Sequence, residues 1–334
     1  MSNNLNILIP DGDSTWALSV IYCLSHYSNI KIYVLSSKKK TPAKFSKYIS
    51  YYKYYKQIQD DNIRLQILNS EIKKHHINIV MPIAENEIGF VIKHLDGFDK
   101  SCEIIPLPSK ESFKIAINKK NLNDFLAKHK IPSPKSIFIN STNQLDQVIN
   151  GIVFPVLIKP LDEKGGDGIV RLDKKNELED YVHNSLNENG IFIQQYIVGY
   201  DIDCSVICLN GEVLTYTIQK GNLKGHNLYA PQLGVEFLNN YEVYNTVKRL
   251  MKLLNWSGVA HIDLIYDNTE LDFKVLEINA RFWGSIEASR VVGVNFPFLL
   301  TELVICKTFS FQDYKYDKFV RFKGLLKLIL RNPL

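Results

Sequence analysis

The sequence has few cysteines and no long hydrophobic run. Five cysteines are scattered over 334 residues, and an odd, irregular set in a chain of this length argues against a disulfide framework. Because no Cys-x-x-Cys or His-x-x-x-His pair is present, we expect Cys204 and Cys208 to pack as small apolar side chains on one face of a strand rather than to bind zinc. No apolar run is long enough to span a bilayer, and the N-terminus lacks the pattern of a signal peptide, so we expect a cytoplasmic protein.

Several motifs of nucleotide and nucleic-acid sites are also missing. The chain contains no GxxxxGK[ST] phosphate loop and no evident Ser-His-Asp or catalytic cysteine arrangement. The turn 11–14 has one glycine and no GxGxxG, so a plain turn between a strand and a helix is at least as good an interpretation as a nucleotide loop. The net charge of +5 is modest, and residues 47–56 mix lysine and tyrosine without a recognition motif. We therefore expect no nucleic-acid partner.

Apolar periodicity predicts an open, parallel α/β unit at the N-terminus. Strand-like runs lie at 6–10, 30–35 and 77–83, with a helical pattern at 15–25. This order of strand, turn and helix is typical of a parallel sheet. Pro106 and Pro108 then mark a boundary. Residues 109–130 show a helical pattern with Leu122, Phe125 and Leu126 on one stripe, which the prolines that follow bring to an end.

The second half of the chain alternates short strands with helical patterns. Strands are predicted at 153–159, 169–172, 191–197, 202–209, 213–219, 258–267 and 273–278, and helices at 241–254 and from 285 onward. Strands joined by turns favour antiparallel pairing. The pattern as a whole predicts an α/β and α+β architecture, in which an open parallel domain precedes a mixed unit.

The strands at 258–267 and 273–278 carry the strongest chemical signal. The turn-rich residues between them favour a hairpin, which sets Asp263 opposite Glu277 and His261 opposite Asn279. Because side chains alternate between the faces of a strand, Asp263, Glu277 and Asn279 converge on one patch. Two carboxylates and an amide oxygen suit Mg²⁺ bound together with nucleotide phosphates. The alternative is a solvated hairpin face, but apolar neighbours on the opposite face require a buried sheet.

Cationic and glycine-rich segments suit phosphate groups. Lys159 ends an apolar strand, and the loop that follows it contains Gly165, Gly166 and Gly168. Glycines let backbone N–H groups approach phosphate oxygens without a Cβ clash. Arg281, just past the predicted hairpin, can contact a phosphate oxygen in forked geometry. A glycine-rich hairpin loop without a function is the alternative for the loop.

The strand at 191–197 suits a nucleoside. It ends at Gln195, Tyr196 and Ile197, and Asp201 follows after a short turn. Backbone donors and acceptors of an exposed strand edge can read an adenine ring, and a carboxylate just beyond can accept hydrogen bonds from ribose hydroxyls. Taken alone, an ordinary strand and turn is the more frequent interpretation of such a segment.

Taken in order, these segments resemble the ATP-grasp superfamily. Residues 276–281 match its E-x-N-x-R strand, residues 154–168 match its second motif, and Asn118-Lys119 matches the position of its first ATP-contacting lysine. The resemblance covers about residues 106–301, and residues 6–102 are similar to the pre-ATP-grasp domain. It implies an N-terminal open parallel α/β domain, 1–106, followed by a two-lobed ATP-grasp fold, 107–306. The lobes would meet near residue 190, as 107–190 and 191–306, and residues 307–334 would form a basic and apolar C-terminal segment.

The resemblance also implies the cofactors, ATP and Mg²⁺ with Mn²⁺ as a substitute, and the role of each residue. Glu277 and Arg281 would be catalytic, with Glu277 bridging two metal ions and Arg281 facing the transferred phosphoryl group. Asp263, Glu277 and Asn279 would be the metal ligands. Lys119 and Lys159 would contact the phosphates, and Gly165, Gly166 and Gly168 would form a lid over them. Gln195, Tyr196 and Ile197 would contact the adenine, and Asp201 would contact the ribose. Gln195 and Asp201 depart from the family, in which glutamate is commoner at both positions.

The reaction that this resemblance implies is the ATP-dependent ligation of a carboxylate to an amine through an acyl phosphate. The partners would be small carboxylate and amine substrates, with Lys220 and His226 as candidate contacts. The alternatives are a non-catalytic ATP-binding sensor or scaffold, and a different ATP-grasp phosphotransfer reaction. In the C-terminal segment, residues 319–331 mix basic and apolar side chains, and we expect a docked helix there rather than contact with a membrane surface. A homodimer is left open.

Overall fold

The computed structural model describes residues 4–161, 168–223, 232–322 and 324–325, which form three β-sheets with helices packed against them. The first sheet is parallel, and the other two are antiparallel. This architecture confirms the predicted fold class, an open parallel α/β unit followed by a mixed two-sheet unit. The residue limits proposed for the parts of the chain stay predictions.

The N-terminal sheet has five parallel strands in the order β3-β2-β1-β4-β5. They are β1 (Leu5–Ile9), β2 (Ile30–Ser36), β3 (Tyr51–Tyr54), β4 (Ile79–Val80) and β5 (Glu103–Ile104), with helices α1 (Ala17–Leu24), α2 (Asp61–Lys74) and α3 (Glu85–Lys93). The apolar strands reflect burial on both faces, since Ile7 and Ile9 pack in one core and Leu8 in another. The sequence did not predict β3, because a half-exposed edge strand of tyrosine and lysine shows no apolar alternation. The strand predicted at 77–83 is shorter than expected.

The helix predicted at 109–130 is two helices, α4 (Lys110–Ala116) and α5 (Lys119–Lys128). The side chain of Asn118 accepts a hydrogen bond from the Asn121 N–H at 3.0 Å, so it caps a new helix rather than continuing the old one. The apolar stripe was read correctly, because Leu122 and Leu126 are buried. The cap places Lys119 in the first turn of α5.

The second sheet has four antiparallel strands in the order β6-β9-β7-β8. They are β6 (Ser136–Ile139), β7 (Val156–Lys159), β8 (Val170–Leu172) and β9 (Ile191–Gln195), and α6 (Thr142–Val148) and α7 (Lys175–Ser185) accompany them. Leu145 of α6 and Leu178 and Val182 of α7 pack with the apolar side chains of the strands. The sequence did not predict β6, α6 or α7.

The third sheet has six antiparallel strands in the order β14-β13-β10-β11-β12-β15. They are β10 (Gly199–Leu209), β11 (Glu212–Leu223), β12 (Gly234–Phe237), β13 (Gly258–Asp267), β14 (Asp272–Asn279) and β15 (Lys318–Val320). Helix α8 (Tyr241–Leu253) covers one face, where Cys204 and Cys208 are fully buried among apolar side chains, as predicted. On the opposite face, Asp203, Ser205 and His261 lie along the same strands as Ile207 and Val259, which pack in the core shared with the N-terminal unit.

The C-terminal part of the described chain packs against the N-terminal unit. Helices α9 (Ile286–Val291) and α10 (Phe296–Cys306) pack against α1, and the Asn295 amide donates to the Cys23 carbonyl at 2.9 Å. The helix predicted from residue 319 is wrong for its first residues, because β15 pairs with the otherwise open edge of β12. Residues 323 and 326–334 lie outside the described part. Of the helices in the described residues, none combines the length and apolar character needed to cross a membrane.

Candidate active site

The hairpin of β13 and β14 pairs the residues predicted to lie opposite each other, although its register shifts by one residue between Asp263 and Leu264. Asp263 lies opposite Glu277, and His261 lies opposite Asn279. The Asn279 Nδ2 donates to Asp263 Oδ2 at 3.2 Å and to Glu277 Oε1 at 3.5 Å. Desolvation, and after it the charge of Glu277, raises the pKa of Asp263 well above its usual value. Two carboxylates thus share one amide donor, and a positive charge beside them would relieve their repulsion.

Arg281 anchors the end of β14. Its NH2 donates to Asn279 Oδ1 at 2.6 Å, and its NH1 donates to the Phe282 carbonyl at 2.9 Å. The Nε lies 3.6 Å from Glu85 Oε1, at the start of α3. The guanidinium is therefore held from three sides next to the carboxylate patch.

Lys159, at the end of β7 in the four-stranded sheet, lies within electrostatic range of the carboxylate patch. Desolvation lowers the pKa of this lysine, and the repulsion of Lys119 acts in the same direction. The charges of Glu277, Asp263 and Asp201 oppose that shift. These electrostatic contacts join residues from α5, β7, β10 and the hairpin, although they are far apart in the sequence. The predicted phosphate-binding lysines and the predicted metal ligands therefore lie within electrostatic range of each other.

The predicted adenine contacts lie where β9 ends. The Gln195 N–H donates to the Lys135 carbonyl at 2.8 Å, and the Tyr196 N–H donates to the Pro155 carbonyl at 3.1 Å. Within the described residues, the Ile197 N–H has no recorded partner. Among the described residues, Ile197 is therefore the predicted adenine contact whose N–H has no backbone acceptor.

The remaining predicted residues divide into two groups. Gly165, Gly166 and His226 lie outside the described residues. Gly168 is described, and its φ of 71°, just before β8, is a backbone angle that favours glycine. Lys220 is not brought to the hairpin patch. Its Nζ lies 3.5 Å from the centroid of the Tyr200 ring, and strand alternation places it on the opposite face of β11 from Gln219.

The sequence reasoning missed a second polar group beside the hairpin. Asp203 lies opposite Asp263 on one side and opposite Gln219 on the other, and Gln219 Nε2 donates to Asp203 Oδ2 at 3.1 Å. The His261 Nε2 is 3.3 Å from Asp263 Oδ1 and 3.8 Å from Asp203 Oδ2. Ligand atoms of Asp203, His261 and Asp263 lie within 4.8 Å of one another. The row of polar side chains that begins at Glu277 and Asp263 therefore continues through Asp203 to Gln219, across β14, β13, β10 and β11.

Burial sets the protonation of this group. Desolvation raises the pKa of Asp203 to about 7, against the hydrogen bond from Gln219. Desolvation, with Arg281 as a smaller cause, lowers the pKa of His261 to about 3, so the imidazole is neutral near pH 7. The Nδ1 of that ring shares a hydrogen bond of 2.9 Å with Ser205 Oγ. The sequence contained a signal for these residues, since Asp201, Asp203 and Ser205 alternate with apolar residues along β10.

A comparison of the sequence with known protein families shows which family contains this set of residues. The profile of the RimK-like ATP-grasp domain matches residues 116–302, more than half of the 334 residues. The chain belongs to the RimK-like ATP-grasp family. The match covers α5, the four-stranded sheet, the hairpin and Arg281, and it therefore confirms the superfamily that the sequence motifs resemble.

Curated relatives of this RimK-like ATP-grasp protein include D-alanine–D-alanine ligases. That of Francisella philomiragia is 26% identical over 200 residues, which cover 57% of this chain and 61% of the relative. That of Francisella tularensis subsp. novicida is 26% identical over 183 residues, which cover 52% of this chain and 59% of the relative. The matched part of the chain thus spans about three-fifths of the length of these relatives.

Solved structures show the same fold for this RimK-like ATP-grasp protein. An L-amino acid ligase from Bacillus licheniformis aligns with a TM-score of 0.69 and 16% identity, over 90% of this chain and 74% of that one. The N5-carboxyaminoimidazole synthetase from Staphylococcus aureus, complexed with ADP, aligns with a TM-score of 0.73 and 12% identity, over 94% and 81% of the two chains. At such identities the likeness shows the shared fold.

Proposed function

We propose that this ATP-grasp protein is an ATP-dependent ligase that joins a small carboxylate to an amine. The observation that carries the proposal is the convergence of the Asp263, Glu277 and Asn279 patch with Arg281 and Lys159. Anionic ligands, a fork-shaped cation and a desolvated lysine are the groups that phosphoryl transfer requires. The relatives named as D-alanine–D-alanine ligases and the structural neighbour named as an L-amino acid ligase support carbon–nitrogen ligation.

The donor set of the patch fits Mg²⁺, with Mn²⁺ as a substitute. Asp263 and Glu277 are adjacent carboxylates with a shared amide neighbour, and such hard oxygen ligands suit these ions. Asn279 now directs its nitrogen at the carboxylates and its oxygen at Arg281. A 180° flip of the Asn279 side-chain amide would direct its Oδ1 at a cation and would leave the Arg281 NH2 free to contact a phosphate oxygen. When bound, the metal neutralises phosphate charge.

The protein side chains then bind and orient the substrates. Lys119 and Lys159 would hold the phosphates of ATP, Ile197 would donate its N–H to the adenine, and Asp201 would accept from the ribose. Arg281 would orient the γ-phosphoryl group as it passes to a carboxylate oxygen, which leaves ADP and an acyl phosphate. The neutral amine then attacks the acyl carbon. A C–N bond forms, the C–O bond to phosphate breaks, and the nitrogen releases one proton to phosphate or solvent.

The alternatives to ligation are a different ATP-grasp phosphotransfer reaction and a non-catalytic ATP-binding module. The described site favours an enzyme, because the two carboxylates, the amide and the arginine of the hairpin are all in place. A sensor would need nucleotide contacts but would not need groups arranged around a moving phosphoryl group. A cytoplasmic location and a homodimer stay predictions.

The decisive experiment measures phosphate release from ATP with mixtures of amino acids and other small carboxylates and amines. We expect release that depends on both substrate types, with an amide product detected by mass spectrometry. Release with a carboxylate but without any amine, and without an amide product, would instead support a different phosphotransfer reaction. ATP binding without release under any mixture would support the sensor.

A further inference from the structure

The segment that links β2 to β3 is strongly basic. Residues 37–50 contain five lysines and no arginine, aspartate or glutamate. Within the described part of the chain, none of these lysines forms an ion pair. All five are exposed, namely Lys38, Lys39, Lys40, Lys44 and Lys47. The segment therefore presents a positive surface that favours an anionic partner.

Tyrosines of β3 hold this segment in place. The Tyr52 hydroxyl donates to the Lys38 carbonyl at 2.7 Å, and the Lys44 Nζ lies 5.9 Å from the centroid of the Tyr52 ring. The Lys39 Nζ lies 5.6 Å from the centroid of the Tyr54 ring. Because residues two apart on a strand share a face, these lysines lie on the same side of β3.

Apolar side chains project from the same segment. Phe45 ends a 3-10 turn, Pro42–Phe45, and its side chain is 74% exposed. Tyr48 is 39% exposed, and its ring centroid lies 5.8 Å from that of Tyr22 on α1. The Lys47 Nζ lies 5.3 Å from the centroid of the Tyr48 ring. Exposed aromatic rings among cations indicate a partner that is both apolar and anionic.

The residues after β15 border this segment. Leu18 of α1, Pro42 and Phe322 line one cavity, and the side chains of Leu18 and Phe322 are 43% and 73% exposed. Arg321 lines the same cavity, and Glu287 is the one carboxylate among the described residues that line it. We call this surface the basic–apolar face and define it by Leu18, Lys44, Phe45, Lys47, Tyr48 and Phe322.

We propose that the basic–apolar face binds the surface of an anionic lipid bilayer. The lysines would lie at the headgroups, and the rings of Phe45 and Phe322 would enter the boundary between headgroups and acyl chains. A bilayer surface offers negative charge and apolar depth side by side, as this face requires. Unlike the C-terminal segment considered from the sequence, the face takes most of its charge from residues 37–50.

The type of cation favours a bilayer over a nucleic acid. Proteins that recognise individual phosphates and bases make wide use of the forked arginine guanidinium, and residues 37–50 contain no arginine. Lysines are mobile point charges that suit the diffuse potential of a lipid surface. Tyr48 packs beside Tyr22 rather than standing in a row of free rings on which successive bases could stack.

The experiment measures binding of the full chain to vesicles by co-sedimentation. Vesicles of phosphatidylcholine alone are compared with vesicles that contain about one third phosphatidylglycerol, at about 0.05 M and about 0.5 M NaCl. We expect the anionic vesicles to bind at least about tenfold more tightly at low salt, and this affinity to fall about tenfold or more at high salt. Equal binding to both kinds of vesicle, or no binding to the anionic ones, would overturn the proposal.

Variants of the face locate the contact. The double variant Lys44→Glu with Lys47→Glu should bind anionic vesicles about tenfold or more weakly. Phe45→Ser should weaken binding about fivefold, because an exposed ring no longer enters the interface. These side chains are exposed, so thermal unfolding should match that of the wild type. If the double variant fails to fold, Phe45→Ser still decides the outcome, and wild-type vesicle affinity in either folded variant would overturn the proposal.

Matched controls change charge and apolar surface elsewhere. Lys128→Glu with Lys252→Glu alters exposed residues of α5 and α8, and Val153→Ser alters a side chain that is 68% exposed before β7. Both should bind anionic vesicles within about threefold of the wild type, since charges beyond a Debye length are screened. An equal loss in the controls and in the face variants would show an effect of net charge alone and would overturn the proposal.

Further probes distinguish the bilayer from other anions. Phe45→Trp should be quenched by lipids with brominated acyl chains, and bound protein without quenching would overturn insertion at the face. Glycerol 3-phosphate at millimolar concentration should not displace the protein from vesicles; displacement would mean that a free phosphate group is recognised instead. Tighter binding of a single-stranded oligonucleotide than of anionic vesicles, lost in the Lys44 and Lys47 double variant, would assign the face to nucleic acid. None of these variants alters the hairpin patch, so the outcome is independent of the proposed ligase activity.

Discussion

The guanidinium of Arg281 lies 3.6 Å from the carboxylate of Glu85, and this ion pair ties the end of β14 to the N-terminal sheet. The Phe282 N–H also donates to the Ile83 carbonyl, beside β4, at 3.3 Å. The N-terminal unit thereby orients the arginine that we propose to contact the moving phosphoryl group. If Arg281 has that role, alignment of the phosphoryl group would depend on a part of the chain that precedes the matched ATP-grasp region.

Arg281→Lys should impair turnover more than nucleotide binding. A single ammonium group cannot contact Asn279, Glu85 and the Phe282 carbonyl at once, as the guanidinium does. We expect kcat to fall about tenfold or more and the Kd of ATP to change by less than about threefold. Phosphate-release kinetics and calorimetry give the two values. A lysine variant with near wild-type kcat would rule out the forked contact.

ATP binding should require a divalent metal ion. Asp263 and Glu277 stand directly opposite each other, and the triphosphate would add further negative charge beside them. Without a cation these charges repel one another, so affinity should fall about tenfold or more when EDTA is added. Calorimetry with ATP and Mg²⁺, repeated with Mn²⁺ and with EDTA, measures this. Equal affinity in all three conditions would remove the metal role of the patch.

Lys159→Ala should lower nucleotide affinity and leave the fold intact. The lysine lies at the end of β7, where desolvation lowers its pKa and Glu277, Asp263 and Asp201 supply nearby negative charge. Loss of one desolvated phosphate contact should weaken ATP binding about tenfold. Lys128→Ala, at an exposed residue of α5, is the control. If the variant unfolds, and its folded fraction binds ATP normally, the lysine is structural.

Glu277→Gln should reduce turnover by about a hundredfold or more while weakening ATP binding only moderately. In the ground state the lysines and the adenine contacts retain much of the affinity. In phosphoryl transfer the carboxylate must hold positive charge at a fixed position, and a neutral amide cannot replace it. The comparison of kcat with the Kd of ATP checks this, with Glu212→Gln on the exposed end of β11 as the control. Near wild-type kcat would mean that Glu277 is not a catalytic metal ligand.

Asp267→Asn should make the stability of the hairpin less dependent on pH. Asp267 is buried and pairs with Lys274 at 2.9 Å. Burial alone would raise the pKa of Asp267, but hydrogen bonds from Lys274 and from backbone N–H groups outweigh it and lower the pKa. The stability from this group is therefore present above its unfolded pKa of about 4 and is lost as the pH falls through the lower folded value.

The expected cost of Asp267→Asn at pH 7 is about 1–3 kcal/mol, because Lys274 keeps a second partner, Glu270, at 2.8 Å. Urea denaturation of wild type and variant at pH 7 and at pH 3 measures the difference in the free energy of unfolding. That difference should shrink at pH 3. A difference that is the same at both pH values would show that the contribution of Asp267 does not depend on its ionisation.

The hairpin and the positions of its polar side chains were predictable from the local sequence pattern. Two strands joined by a short turn can pair in few registers, and the apolar residues Ile262, Leu264 and Ile278 specify which face is buried. A hairpin centre near Glu270 therefore gave Asp263 and Glu277 as partners, whereas the one-residue register shift between Asp263 and Leu264 was not evident from the sequence. The same local reasoning located the stripe of α5 and the buried cysteines of β10, since periodicity depends only on near neighbours along the chain.

The contacts between groups that are distant in the sequence were not predictable in this way. The pairing of β10 with β13 brings Asp203 beside Asp263, and the packing of the two antiparallel sheets brings Lys159 within electrostatic range of Glu277. No periodic pattern encodes such contacts, because they depend on which strand edges and apolar faces pair across long sequence separations. The polar patch of the hairpin thus reflects a local pattern of the chain, whereas the cations beside it are placed there by the fold.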